Sequence, residues 1–237
     1  MRRWLADRRV QPALLAIVAL LALALGVGLG LRQFDPGTGP PLPLEGGEWL
    51  PRPMALPDFR LADMRGEDFT RVSLEGQWTF MFFGYTHCPD ICPVTTLLLA
   101  QAAEQVRRAD PRGTVPRIVF VSVDPERDTP EILRQFVAHF HPDATGATAP
   151  LAELTPFTRA LGIAHRKVEV EGDPDRYLVD HSGSVLLINP EARLQAVFPW
   201  PHEADQLSSD FLLIRERYAS VGNAAPQGPN PASRKVP

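Results

Sequence analysis

The sequence predicts a single α/β domain, residues 54–219, carried on an N-terminal transmembrane helix. Three observations lead there. Residues 13–31 are 19 consecutive positions without a charged or polar side chain. Beyond them, short wholly apolar stretches alternate with amphipathic ones, the pattern of strands alternating with helices. Stretches rich in Pro and Gly flank that alternation and hold 10 of the 25 prolines in the 237-residue chain.

Arg2, Arg3, Arg8 and Arg9 precede the apolar run, and Asp7 is the one acid among residues 1–12. Lys and Arg flanking a span favour the cytoplasmic side. The arm 1–12 is therefore expected in the cytoplasm, with 13–31 as the span and the rest of the chain beyond it. At 1.5 Å per residue the run covers most of a ~30 Å hydrocarbon core. A cleaved signal peptide has a shorter apolar region, about 7–15 residues, followed by a small-x-small site. Here the run is longer and leads into Leu31-Arg32-Gln33-Phe34, which favours an uncleaved anchor.

Composition excludes several classes of function. Residues 33–237 carry 19 Lys and Arg against 27 Asp and Glu, so a nucleic-acid footprint is absent. Two cysteines exclude a disulfide-stapled scaffold and a four-Cys zinc or iron–sulfur site.

Residues 32–53 read as a Pro/Gly-rich linker that holds the domain away from the bilayer. Residues 79–83, Thr-Phe-Met-Phe-Phe, read as a buried central strand. A helix is expected over 93–109, with Pro93 in its first turn and Val94, Leu97, Leu98, Ala102 and Val106 as its apolar face. A second apolar strand spans 118–123. A helix over 128–141 carries a candidate capping box, Asp128 with Glu131. A short helix over 155–161 stops at Gly162. Strands at 177–180 and 185–188 flank a Ser182-Gly183 turn as a hairpin, and 193–198 follows the Asn189-Pro190 turn. Leu207, Phe211, Ile214 and Tyr218 mark a final amphipathic helix. Residues 220–237 read as a disordered tail.

Both cysteines lie in Gly84-Tyr85-Thr86-His87-Cys88-Pro89-Asp90-Ile91-Cys92-Pro93, where the central strand meets the first helix. Ligands bind at such junctions in open α/β sheets, and a helix N-terminus stabilises a thiolate. On a helical turn, positions i and i+4 share one face. From there two sulfurs can converge on one metal ion, or close a disulfide after modest adjustment. Cys88 and Cys92 are thus candidates both for a redox-active pair and for metal ligands. Two buried structural cysteines, or a structural disulfide closing a very short loop, are the plainer readings.

A third ligand has to come from the six histidines. His139 and His141 are two apart on a helix and read as surface residues, as do His165 and His202. His87 adjoins Cys88, but adjacent residues seldom face one point. His181 ends an apolar strand at a turn and can reach a neighbouring loop. Two thiolates and one imidazole would form a three-coordinate soft site. Structural zinc takes four ligands, whereas Cu(I) prefers thiolate and tolerates low coordination.

Thr86-His87-Cys88-Pro89-Asp90-Ile91-Cys92-Pro93 resembles the metal-site motif of the Sco/SenC family of copper proteins. Pro57-Asp58-Phe59-Arg60-Leu61 resembles its entry strand. Val121-Ser122-Val123-Asp124-Pro125-Glu126-Arg127-Asp128-Thr129-Pro130 resembles its second signature, and Tyr177-Leu178-Val179-Asp180-His181-Ser182 the segment with its ligand histidine. The resemblance covers about residues 55–218. It implies a thioredoxin-like fold that binds one copper per chain, Cu(I) with Cu(II) as the second state, through Cys88, Cys92 and His181. It further implies delivery of copper, or of reducing equivalents, to the binuclear copper centre of cytochrome c oxidase subunit II, with copper arriving from an upstream donor. The expected location is the bacterial inner membrane, single-pass, with the C-terminal domain periplasmic. Where the family often has a Tyr-rich strand before the histidine, this chain has Ala164-His165-Arg166-Lys167-Val168, a departure that bears on the partner surface.

Three functions use these cysteines: a copper metallochaperone without turnover, a thiol–disulfide reductase that keeps the oxidase cysteines reduced, and a redox or copper sensor. The reductase needs only the two sulfurs. The carrier also needs His181.

Overall fold

The computed structural model describes residues 10–33, 41–111, 113–170 and 173–224. It divides into two units, 1–40 and 41–237. The described part of the first unit is one helix, α1 (Val10–Gln33), which contains the apolar run. Its described side chains, those of residues 15–28, are all exposed. They cover a shorter stretch than the 19 residues on which a span was expected. Among the described residues no helix is long and apolar enough to cross a membrane. Residues 1–9 of the expected arm, 34–40 of the expected linker and 225–237 of the expected tail lie outside the described residues.

The second unit is an α/β domain. Its strands are β1 (Glu48–Ala55), β2 (Arg60–Asp63), β3 (Asp68–Thr70), β4 (Thr79–Gly84), β5 (Arg117–Ser122), β6 (Thr145–Thr148), β7 (His165–Val170), β8 (Asp173–His181), β9 (Val185–Ile188) and β10 (Arg193–Phe198). Its helices are α2 (Ile91–Ala109), α3 (Pro130–Phe140), α4 (Leu151–Ala160) and α5 (Ala204–Ala224), with a 3-10 turn at Arg71–Leu74. Eight strands form one sheet in the order β1-β10-β9-β4-β5-β6-β2-β3, and β7 pairs with β8 alone.

All six residues of β4 are buried, as its unbroken apolar run requires of a strand covered on both faces. Helix α2 returns the chain so that β5 runs parallel to β4, and α3 repeats the crossover to β6. On the other side of β4 the antiparallel strands β9, β10 and β1 complete the sheet. Aromatic rings fill the core: Phe82 tilts against Phe120 at 6.0 Å, and Trp78 meets Phe211 edge-on at 5.6 Å.

Several expectations are corrected. The linker expected to run to residue 53 already belongs to the domain: β1 starts at Glu48 and pairs with β10. Ahead of it, the buried carboxylate of Asp210 accepts the N–H groups of Glu45, Gly46 and Gly47 at 2.8–2.9 Å. A Cβ on Gly47 would lie 2.5 Å from the Phe198 ring, so its glycine reflects close packing and not a flexible spacer. The 177–188 hairpin does not form. β8 pairs with β7, whereas β9 joins the main sheet. Helix α3 is capped by Thr129, whose side chain accepts from the Ile132 N–H, and Asp128 is free for another task. Helix α2 buries Thr95, Thr96, Leu99, Ala102, Ala103 and Val106, while Val94 and Leu97 are exposed. The two buried threonines concealed the true apolar face. Helix α5 reaches Ala224, into the stretch expected to be tail.

Candidate metal centre

The C-terminal end of β4 leads through Tyr85–Asp90 into α2. Only Cys92 is helical. Cys88 lies in the preceding turn, whose N–H bonds back to the Tyr85 carbonyl at 3.3 Å. The four-residue spacing is therefore bridged by a turn and not by one face of a helix. Both cysteines are free thiols, Cys88 partly exposed and Cys92 buried. His181 approaches from the end of β8, with Nε2 3.2 Å from Cys92 Sγ. Among the described residues, Cys88, Cys92 and His181 form one group whose ligand atoms all lie within 4.8 Å of one another.

Surrounding groups orient each donor. The His181 Nδ1–H donates to the Ser182 carbonyl at 3.1 Å, which turns Nε2 towards the sulfurs. The rings of Phe82 and Tyr85 flank the imidazole at 6.0 and 5.9 Å. Gly84 gives the Cys92 sulfur its space: a Cβ there would meet Sγ at 2.7 Å. The turn itself is pinned by Asp128, a wholly buried carboxylate that accepts from the Thr86 N–H (3.0 Å), the Thr86 hydroxyl (2.6 Å) and the Ser122 hydroxyl.

Electrostatics make the sulfurs unequal. A hydrogen bond from Cys92, reinforced by His181 and by the backbone N–H groups of Asp90 and Cys92, holds the Cys88 thiol well below its ordinary range. The same bond to Cys88, together with burial, pushes Cys92 up. Charge on the pair is thus favoured on the accessible sulfur, Cys88, and a proton on the buried one, Cys92. A metal ion must displace that proton to gain both sulfurs.

The other histidines stand elsewhere. His87 is half exposed beside Thr86, 3.1 Å from its hydroxyl. His139 is exposed. Two of the expected surface histidines are packed. His165 bonds the Thr158 hydroxyl at 3.1 Å. His202 is only 8% exposed and its Nε2–H donates to the Gly183 carbonyl at 2.8 Å, bracing the turn beside His181. Sequence reasoning also left Asp124–Thr129 without a role. Its signal was three acids and an arginine placed just after a buried strand.

A strand–turn–helix carrying two thiols, faced by an imidazole from a separate hairpin, defines a thioredoxin-like α/β protein with a soft-metal donor set. The SCO1/SenC family model matches residues 51–214, and the chain belongs to that family. It is 39% identical over 160 residues to the mitochondrial protein SCO1 homolog 1 of Arabidopsis thaliana, a match covering 68% of this chain and 47% of that one. It is 35% identical over 164 residues to the human mitochondrial protein SCO2 homolog, covering 69% and 61%. The match thus spans about half to three-fifths of these relatives. Among solved structures, Arabidopsis thaliana ScoI with copper bound superposes with a TM-score of 0.65 at 34% identity, over 68% of this chain and 98% of that one.

Proposed function

We propose that this chain is a membrane-anchored copper metallochaperone. It takes copper from an upstream donor and delivers it to the binuclear copper centre of cytochrome c oxidase subunit II. The observation that carries this reading is the convergence of Cys88, Cys92 and His181 within 4.8 Å. Two thiolates and one imidazole suit Cu(I) at low coordination and are one donor short of a closed zinc site. A homologous ScoI structure described as having copper bound supports it.

In this reading the partly exposed Cys88 thiolate receives the cargo. Cys92 gives up its proton, and His181, aimed by the Ser182 carbonyl, supplies nitrogen. Copper is cargo, one ion per chain, and leaves by ligand exchange with the partner's own donors. The anchor is residues 13–31 in the bacterial inner membrane, with the N-terminus cytoplasmic and the domain periplasmic. The uncharged run and the four preceding arginines support that placement.

A second reading, a thiol–disulfide reductase for the oxidase cysteines, is favoured by the unequal sulfurs: an accessible thiolate beside a thiol is the arrangement that attacks a disulfide. Complementation of a strain lacking the gene separates the two. At limiting copper, His181→Ala should lose oxidase activity if copper is carried. If it retains full activity while Cys88→Ser does not, the carrier reading fails and the reductase stands.

A further inference from the structure

Strands β7 and β8 share no ladder with the main sheet. The cysteines belong to the core and His181 to this separate hairpin, so backbone pairing does not set the distance between them. Side chains contribute: His202 holds the turn after His181 through the Gly183 carbonyl, and a second set converges on Tyr177. This residue lies four before His181 on β8, on the same face of the strand. The Arg127 guanidinium carbon lies 3.6 Å from the centre of its ring, and Lys167 Nζ lies 3.8 Å from it. The Tyr177 hydroxyl donates to Asp124 at 2.9 Å, and the Tyr177 carbonyl accepts from Arg127 Nη1 at 3.1 Å.

The two cations are unequal. Lys167 and its partner Glu126 are 51% and 58% exposed, a setting in which an ion pair contributes little. Arg127 is 24% exposed and its Nε donates to Asp124, which is 4% exposed. Cation–π contacts strengthen with desolvation, so the inner cation dominates. Arg127 also has a second aromatic neighbour. Its guanidinium lies 5.6 Å from the ring of Tyr85, and Tyr85 meets the His181 imidazole edge-on at 5.9 Å.

We infer that Arg127 is the positioning residue for His181: held by Asp124, it fastens the β7–β8 hairpin through Tyr177 and backs the imidazole through Tyr85. This rests on the copper-site reading above. It assigns to the Asp124–Arg127 segment a task distinct from that of Asp128, which pins the cysteine turn.

The test uses the full chain in detergent with Cu(I) and Cu(II) as probes. Arg127→Met should weaken Cu(II) binding about tenfold, the lower end for groups that orient a ligand, and reduce the nitrogen hyperfine coupling in its EPR spectrum. Cu(I), which two sulfurs can retain, should change by no more than about threefold. Lys167→Met should change either by less than about twofold. In a His181→Ala background, Arg127→Met should cost nothing further. In the apo protein, amide exchange at residues 177–182 should quicken in Arg127→Met alone. Unchanged Cu(II) affinity and hyperfine coupling in Arg127→Met, or an equal loss with and without His181, would overturn the inference. If Arg127→Met does not fold, Tyr177→Phe, which removes the hydroxyl's contacts with Asp124 and Glu126 and keeps the ring, must show the same pattern at smaller amplitude, and no change there also overturns it. If His181→Ala leaves Cu(II) binding intact, the copper-site reading is what fails, and the apo amide exchange alone decides the latch.

Discussion

Gly84 and Cys92 are in steric register: the hydrogen of Gly84 points at the Cys92 sulfur, and a methyl group there would lie 2.7 Å from it and 3.1 Å from the Phe120 ring. The sulfur reaches its place above the end of β4 only because the strand ends in glycine.

Gly84→Ala should therefore destabilise the domain by about 1–3 kcal/mol, the usual cost of overpacking a filled core. It should also displace Cys92 and lower copper uptake. Urea unfolding and a Cu(I) competition titration check both. A variant that folds and binds normally would show that the sulfur can move at no cost.

Oxidation should gate the site. A Cys88–Cys92 disulfide has no thiolate to donate, so oxidised protein should take up almost no copper until reduced. Cys88→Ser and Cys92→Ser should each abolish tight Cu(I) binding, because a hydroxyl is a hard and protonated substitute. His181→Ala should weaken Cu(II) more than Cu(I). Metal stoichiometry of each form, reduced and oxidised, is the measurement.

His202 contradicts the expectation of a surface histidine and predicts a pH effect. Burial lowers its pKa, opposed in part by its bond to the Gly183 carbonyl. The folded value lies below the unfolded ~6.5, so its contribution to stability is complete above that pH and is lost as pH falls through the folded value. Unfolding free energies measured from pH 8 to 5 should show this loss in the wild type and a shallower slope in His202→Gln. Equal slopes would remove His202 as the cause.

Asp210 should be the most sensitive acid outside the metal centre. Its carboxylate satisfies three backbone N–H groups at 45–47. Asp210→Ala leaves these donors without an acceptor, at about 1–3 kcal/mol for each that stays buried. Denaturant melts should show at least one such increment, and limited proteolysis should find new cleavage near residue 46. Resistance at that site would mean the segment is held by its other contacts.

Local chemistry explains which elements were legible. β4 and β5 each hold four consecutive large apolar residues, and α3 and α5 have clear helical periods. β2, β3 and β6 are three or four residues long and mix polar with apolar positions, so each takes its identity from the strand beside it. Ser182-Gly183 looked like a hairpin turn because turn residues report a change of direction and not the strand that is joined next.

At the metal centre the same division holds. Cys88 and Cys92 were legible because their spacing and their place between a strand and a helix are local properties of the chain. His181 was a candidate from its place at a strand-end turn, but only resemblance to a family made it the ligand, since it lies 89 residues from Cys92 and nothing along the chain encodes their 3.2 Å approach. The sequence by itself determined the donor types, the buried strand that leads into the cysteines and the acidic character of the domain. Tertiary structure decided which histidine meets the sulfurs, which sulfur is buried, and how Asp128 and Arg127 serve two sides of one site. Those outcomes depend on distances between separate elements, and such distances exist only once the sheet and the hairpin have packed.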